Sequence, residues 1–175
     1  MSAPEFSRPV RVDTLGTAPR AMAIEADHAE RAALASRFRF VALSRLVAEV
    51  ELVRKDEAVS ARGTLRAALA QACVATGDPV EEEIEETFAI EFRPHPATGP
   101  DEEVELGGDE LDVVFHDGAL VDIGEAVAET LSLAVDPFPR SPAAEAALRE
   151  AGVRSEEEAR LESSPFAALK DKLGK

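Results

Sequence analysis

Alternation of apolar and polar residues dominates the middle of the chain. Leu46, Ala48, Val50 and Leu52 alternate with Val47, Glu49, Glu51 and Val53, the period-2 signature of a strand with one buried face. Lys55-Asp-Glu57 reads as a turn, after which Val59, Ala61, Gly63, Leu65, Ala67 and Leu69 line the inward face of a return strand. Ser60, Arg62, Thr64 and Arg66 form its opposite row, so two arginines point outward. Gly63 in mid-strand predicts a bulge or a bend. Beyond a Thr76-Gly-Asp-Pro79 turn, Val80, Ile84, Phe88, Ile90 and Phe92 mark a third long strand, whose other face carries Glu81, Glu83, Glu85 and Glu91.

Helix signals flank this block. Asp27 with Glu30 has capping-box spacing and opens a helix ending near Phe38. Asp122 with Glu125 repeats that spacing, and Ile123, Val127 and Leu131 then recur every four residues until Pro137 and Pro139 forbid continuation. Glu125 and Glu129, spaced i, i+4, read as solvated acids on the other side of this helix. Phe6 to Val12 reads as a short first strand, and Leu111 to Val121 as a short hairpin around His116-Asp-Gly118. Pro94 to Gly108 is a Pro-, Gly- and acid-rich loop. Ser155-x-x-Glu158 has the spacing of a helix cap, and Pro165 opens a last segment with Phe166, Leu169 and Leu173 on one face. Sequential antiparallel strands with few helices predict an α+β fold. The expected architecture is an antiparallel sheet or partial barrel of about five to seven strands, with two main helices and a short C-terminal helical tail. Residues 1–136 are expected to form a single core domain, and 137–175 a connector and tail.

The order Val-Asp-x-Gly-Glu-x-x-x-Glu-x-Leu-x-Leu-Ala-x-x-Pro, Val121 to Pro137, resembles the hallmark of the YceD family, the large ribosomal RNA subunit accumulation proteins. Its residues here are Asp122, Gly124, Glu125 and Glu129, and Gly63 joins them through the Val59-x-Ala-Arg-Gly-x-Leu65 strand. The Cys73-Val-Ala-Thr-Gly-Asp-Pro-Val80 turn, the acidic stretch after it and Pro165-Phe-Ala-Ala-Leu169 fall in the expected order, so the resemblance spans roughly Phe40 to Leu173. It implies a non-enzymatic factor in accumulation of large-subunit ribosomal RNA. Many relatives carry paired cysteines near Cys73 that suggest zinc. This chain departs from that pattern, because Thr76 stands at the second position and residues 137–175 hold no cysteine. Cys73 is therefore read as a half-buried structural thiol, and no cofactor or metal is expected.

Charge sharpens the picture, because the net charge of −16 is unevenly spread. Residues 81–122 hold fifteen acidic groups against Arg93 alone, whereas the first 80 residues are balanced. Such a surface attracts basic partners and repels phosphate, with steering that fades as salt rises. The expected partner is a basic ribosomal protein or a large-subunit precursor particle, held by Glu81, Glu83, Glu85 and Glu91. Arg62 and Arg66 are candidate RNA contacts, although neighbouring glutamates are the stronger expectation. Direct binding of naked RNA is not favoured, since the chain lacks Trp and Tyr for stacking. One cysteine forms no internal disulfide, no apolar run approaches a membrane span, and no basic-plus-apolar leader is recognised, so the cytoplasm is the expected location.

Catalytic signatures are absent from the sequence. His28, His95 and His116 lie far apart along it and read as surface histidines. No nucleophile elbow, phosphate-binding loop or dinucleotide fingerprint is found. The alternative is a metal-dependent RNA-processing hydrolase using acids such as Asp109 and Asp112, with a generic acidic adaptor as a third reading. Oligomeric state is left open.

Overall fold

The computed structural model describes residues 4–95, 112–116, 118–154 and 160. Its elements run β1 (Pro9–Arg11), β2 (Arg20–Glu25), α1 (His28–Phe38), β3 (Ala42–Lys55), β4 (Ala58–Ala72), β5 (Pro79–Pro94), β6 (Asp112–His116), β7 (Leu120–Asp122), α2 (Ile123–Ala134) and α3 (Ala144–Glu150), with a 3-10 turn over Val12–Thr14. The described residues form two compact units. One lies within residues 1–71 and 81–137, the other within residues 72–80 and from 138 onward.

Mixed α+β architecture is what the periodicities predict. Five strands form an open sheet in the order β2-β3-β4-β5-β6, and β1 and β7 make a separate antiparallel pair. The β3–β4 hairpin turns through Asp56 at φ +56° and keeps one register from Leu46↔Ala67 to Lys55↔Ala58, with a slip only between Leu43 and Arg45. Capping works at α1 as the sequence implies: the Asp27 carboxylate accepts from the Glu30 amide, and the Glu30 carboxylate accepts from the Asp27 amide.

Three expectations are corrected. The sheet is not wholly antiparallel, because β6 runs parallel to β5, from Ile90↔Asp112 to Pro94↔His116. The Leu111–Val121 hairpin does not form, since β6 and β7 pair in different sheets. Its turn signal is real, with Gly118 at φ +88° donating its amide to His116 Nδ1 at 2.9 Å, but the chain crosses there from one sheet to the other. The expected connector holds a helix, α3, closed by Gly152 at φ +78°. β2 was not foreseen at all. The Pro94–Gly108 loop, the Ser155 cap and the Pro165–Leu173 segment lie outside the described residues beyond Pro94 and His95.

The core of the first unit is built from the inward rows of β3, β4 and β5, from Leu46 and Leu52 through Leu65 and Leu69 to Phe88 and Phe92. Leu34 of α1 and Ile123, Val127 and Leu131 of α2 complete it. Gly63 belongs to the inward row, opposite Val50. A Cβ there would lie 2.3 Å from the Glu49 carbonyl and 2.9 Å from the Phe88 ring, so the glycine is demanded by close approach of backbone and aromatic ring rather than by a bulge. Gly63→Ala is therefore expected to lower stability by about 2 kcal/mol or more through overpacking. Gly16→Ala, whose Cβ would meet nothing closer than 3.9 Å, should be neutral or slightly stabilising. Equal midpoints in denaturant for the two variants would contradict this account.

Candidate functional site

Most residues that carry the sequence signature converge on the start of α2. Asp122 ends β7, so its carboxylate faces the free amides of the next turn and accepts from Gly124 at 3.0 Å and Glu125 at 3.2 Å. The same carboxylate holds the N-terminal strand segment, accepting from the Arg8 amide at 2.7 Å and the Ser7 hydroxyl at 2.5 Å. That segment can pass only because residue 124 is glycine: a Cβ there would lie 2.3 Å from the Phe6 carbonyl oxygen. Glu125 does not complete a capping box. Its carboxylate instead takes a bidentate pair from Arg37 of α1, at 2.7 and 3.0 Å, and Arg37 also reaches Glu5 at 2.9 Å. Its guanidinium is held protonated well above the ordinary range, chiefly by the hydrogen bonds it donates to Glu125. Arg8 likewise grips both oxygens of Glu30, and this pairing holds the Glu30 carboxyl below its usual range.

Gly63, Asp122, Gly124 and Glu125 thus each have a packing or bonding role inside the molecule. Glu129 differs, being exposed, with no partner for its carboxylate among the described residues. It stands on the wall of a groove of about 340 Å³ between β6, β7 and α2, lined by Phe92, Val114, Phe115, His116, Leu120, Glu125 and Glu129 among others. Phe115 and Leu120 are 48% and 51% exposed.

The candidate acidic face and the candidate arginines occupy one surface. Glu81, Glu83 and Glu85 are exposed on the outward side of β5, with Glu91 half-buried beyond them. Arg62 and Arg66 are on the outward row of β4 beside Glu49 and Glu51 of β3. Arg66 pairs with Glu85 at 3.1 Å, and Glu91 with Arg93 at 2.9 Å. Acids outnumber arginines on this surface, so a phosphate backbone laid across Arg62 and Arg66 would meet net negative charge. Glu82, unlike its neighbours, is a tie: it accepts from Gln71 at 3.0 Å and from the Asp136 amide at 3.3 Å.

Two readings of single residues change. His116 is not a surface histidine, being 7% exposed, and parallel pairing sets it beside His95, whose ring stacks on Phe115. Cys73 is fully rather than half buried, at 3% exposure. Its Sγ accepts from the Ser141 amide at 3.3 Å, and the Thr76 and Ser141 hydroxyls lie 3.2 Å apart. Cysteine–hydroxyl sets of this kind do not fit zinc, which needs thiolate, imidazole or carboxylate donors. Among the described residues no three His, Cys, Asp or Glu side chains converge as metal ligands, and Asp109 lies outside them. No helix among them is long and apolar enough to cross a membrane.

The family model described as "Large ribosomal RNA subunit accumulation protein YceD" matches residues 61–171, well over half of the chain. No curated protein and no solved structure matches.

Two outcomes follow from the bonding just described. Asp122→Ala removes a cap and two links to the N-terminal segment, so a loss of roughly 2–4 kcal/mol is expected, against no more than about 0.5 kcal/mol for Glu129→Ala. Similar unfolding midpoints for the two would refute the division of roles. For Cys73, the Ser141 hydroxyl first, then the Ser141 amide and Thr76, outweigh burial and lower the thiol from its ordinary 9.0 to about 6. A depressed folded value means that stability from this site is present above the ordinary pKa and is lost as pH falls through about 6. Thiolate absorbance of the single cysteine should titrate near 6 and move upward in Ser141→Ala; an unmoved midpoint would show that the Ser141 donors are not the cause.

Proposed function

The chain belongs to the YceD family, and from that premise we propose that it is a non-enzymatic, cytoplasmic ribosome-assembly factor that supports accumulation of large-subunit ribosomal RNA by holding a basic ribosomal protein or precursor particle. The family description carries the biological role, since it names accumulation of large-subunit ribosomal RNA and no reaction. The observation supporting the binding mode is the outward face of β5, where Glu81, Glu83 and Glu85 stand exposed and, of the three, only Glu85 forms an ion pair among the described residues, with Arg66 at 3.1 Å. Charge of one sign that is left uncompensated on a flat strand face raises the local concentration and on-rate of basic partners. The same sign disfavours direct contact with naked RNA.

The role is tested by affinity capture of the tagged full chain from growing cells at low and moderate salt. Recovery of large-subunit precursor RNA or a basic ribosomal protein is expected at low salt, falling by about tenfold or more in a Glu81→Lys, Glu83→Lys, Glu85→Lys variant. Undiminished recovery by that variant would overturn the acidic-face mode. Absence of ribosomal material from the wild-type eluate would overturn the assembly role itself.

A further inference from the structure

The groove beside α2 has a chemistry that the acidic strand face lacks. Its floor and rim combine half-buried Val114 and exposed Leu120 with carboxylates, and none of the described residues lining it is a lysine or arginine. Of the groove's carboxylates, Asp122 and Glu125 are taken up by Arg8, Ser7 and Arg37, which leaves Glu129 without a partner among the described residues. One turn further along the outer side of α2, Leu133 is 82% exposed, so an acid and a leucine are presented at i, i+4 spacing. At the groove wall, His116 accepts the Gly118 amide at Nδ1, and its Nε2 is buried with no hydrogen-bond partner among the described residues. Surfaces with an apolar centre, a polar rim and one uncompensated charge are the ones that select a partner of complementary pattern.

We propose that this groove seats a short segment of a basic protein, one apolar side chain resting on Val114 and Leu120 while an adjacent lysine or arginine pairs with Glu129. The inference rests on the assembly reading for the identity of the partner, and adds a second, chemically distinct contact to the strand face. The volume of about 340 Å³ suits one or two side chains of an extended or helical segment, not a whole element. RNA is the poorer occupant, because its phosphates would approach Glu129 and Glu125 and its ribose would leave the apolar floor uncovered. The charge on the rim sets which apolar segments are admitted: acidic ones are repelled and basic ones held.

The test uses the full chain and three short synthetic peptides of equal length as probes: one alternating leucine and lysine, one alternating serine and lysine, and one alternating leucine and glutamate. Amide NMR shifts on titration should localise the leucine–lysine peptide to Val114, Leu120, Ala126 and Glu129. Its affinity should fall by about tenfold in Glu129→Lys and in Leu120→Ser, and the other two peptides should bind wild type no better than those variants bind the first. Both substitutions are at exposed positions, and an unchanged unfolding midpoint in each shows that the fold is intact. Shifts confined to the β5 face, equal binding of the serine–lysine peptide, or wild-type affinity in Glu129→Lys would each overturn the groove. The ribosomal role stands or falls separately, on precursor recovery by the wild-type chain. Peptide binding without precursor recovery would retain the groove and remove the ribosomal partner.

Discussion

One carboxylate organises the first unit. Asp122 lies where a strand of the small sheet becomes a helix, and it serves both elements by capping the helix amides while gripping Ser7 and Arg8 from the other end of the chain. A partial negative charge is needed at a helix N-terminus in any case, so the strand is recruited by a group already required there. Around it, Arg37 joins Glu125 to Glu5, and Arg8 joins the Glu30 cap of the first helix to the same N-terminal segment. The two helices are thus fastened through a third piece of chain rather than to each other alone. Gly124 is the spatial condition of this arrangement, since any side chain there would occupy the path of Phe6.

Local periodicity made the long strands and α2 legible, because each buries a regular row: Leu46 to Leu52, Val59 to Leu69, Ile84 to Phe92 and Ile123 to Leu131; α1, of which Leu34 alone is buried, was legible from the spacing of Asp27 and Glu30. What escaped was of two kinds. β2 spells Arg-Ala-Met-Ala-Ile-Glu, in which small alanines stand where polar residues would mark an outward row, and only Ile24 is buried, so the alternation is faint. The parallel β5–β6 pairing and the split of β6 from β7 are long-range choices that no local pattern encodes. The spacing of Asp122 and Glu125 was read as a capping box, but a cation on another helix drew Glu125 away, an outcome set by tertiary packing. At the candidate site, the outward glutamates were visible from period-2 alternation, whereas the groove required knowing that β6 and β7 border α2.

The signature residues divide by use. Gly63, Gly124, Asp122 and Glu125 explain themselves through contacts within the fold, so their presence speaks to architecture. Glu129 and Leu133 do not, and each faces outward from a helix whose other side is fully committed to the core. Such a division separates residues that specify a shape from residues that the shape displays. It also separates two kinds of surface: the strand face offers charge with little apolar area, suited to long-range attraction, and the groove offers apolar area with a single charge, suited to short-range selection.

The bond between Ser7 and Asp122 spans 115 positions of sequence. During synthesis the N-terminal segment can meet Glu30 and Arg37 of α1 early, but its bonds to Asp122 and the pair β1–β7 cannot close until β7 and the second helix have emerged. The long β3–β4 hairpin, by contrast, can zip as soon as Lys55 and Ala58 have met, because its contacts are local. Folding on the ribosome should therefore begin in the middle of the chain and finish at its first residues.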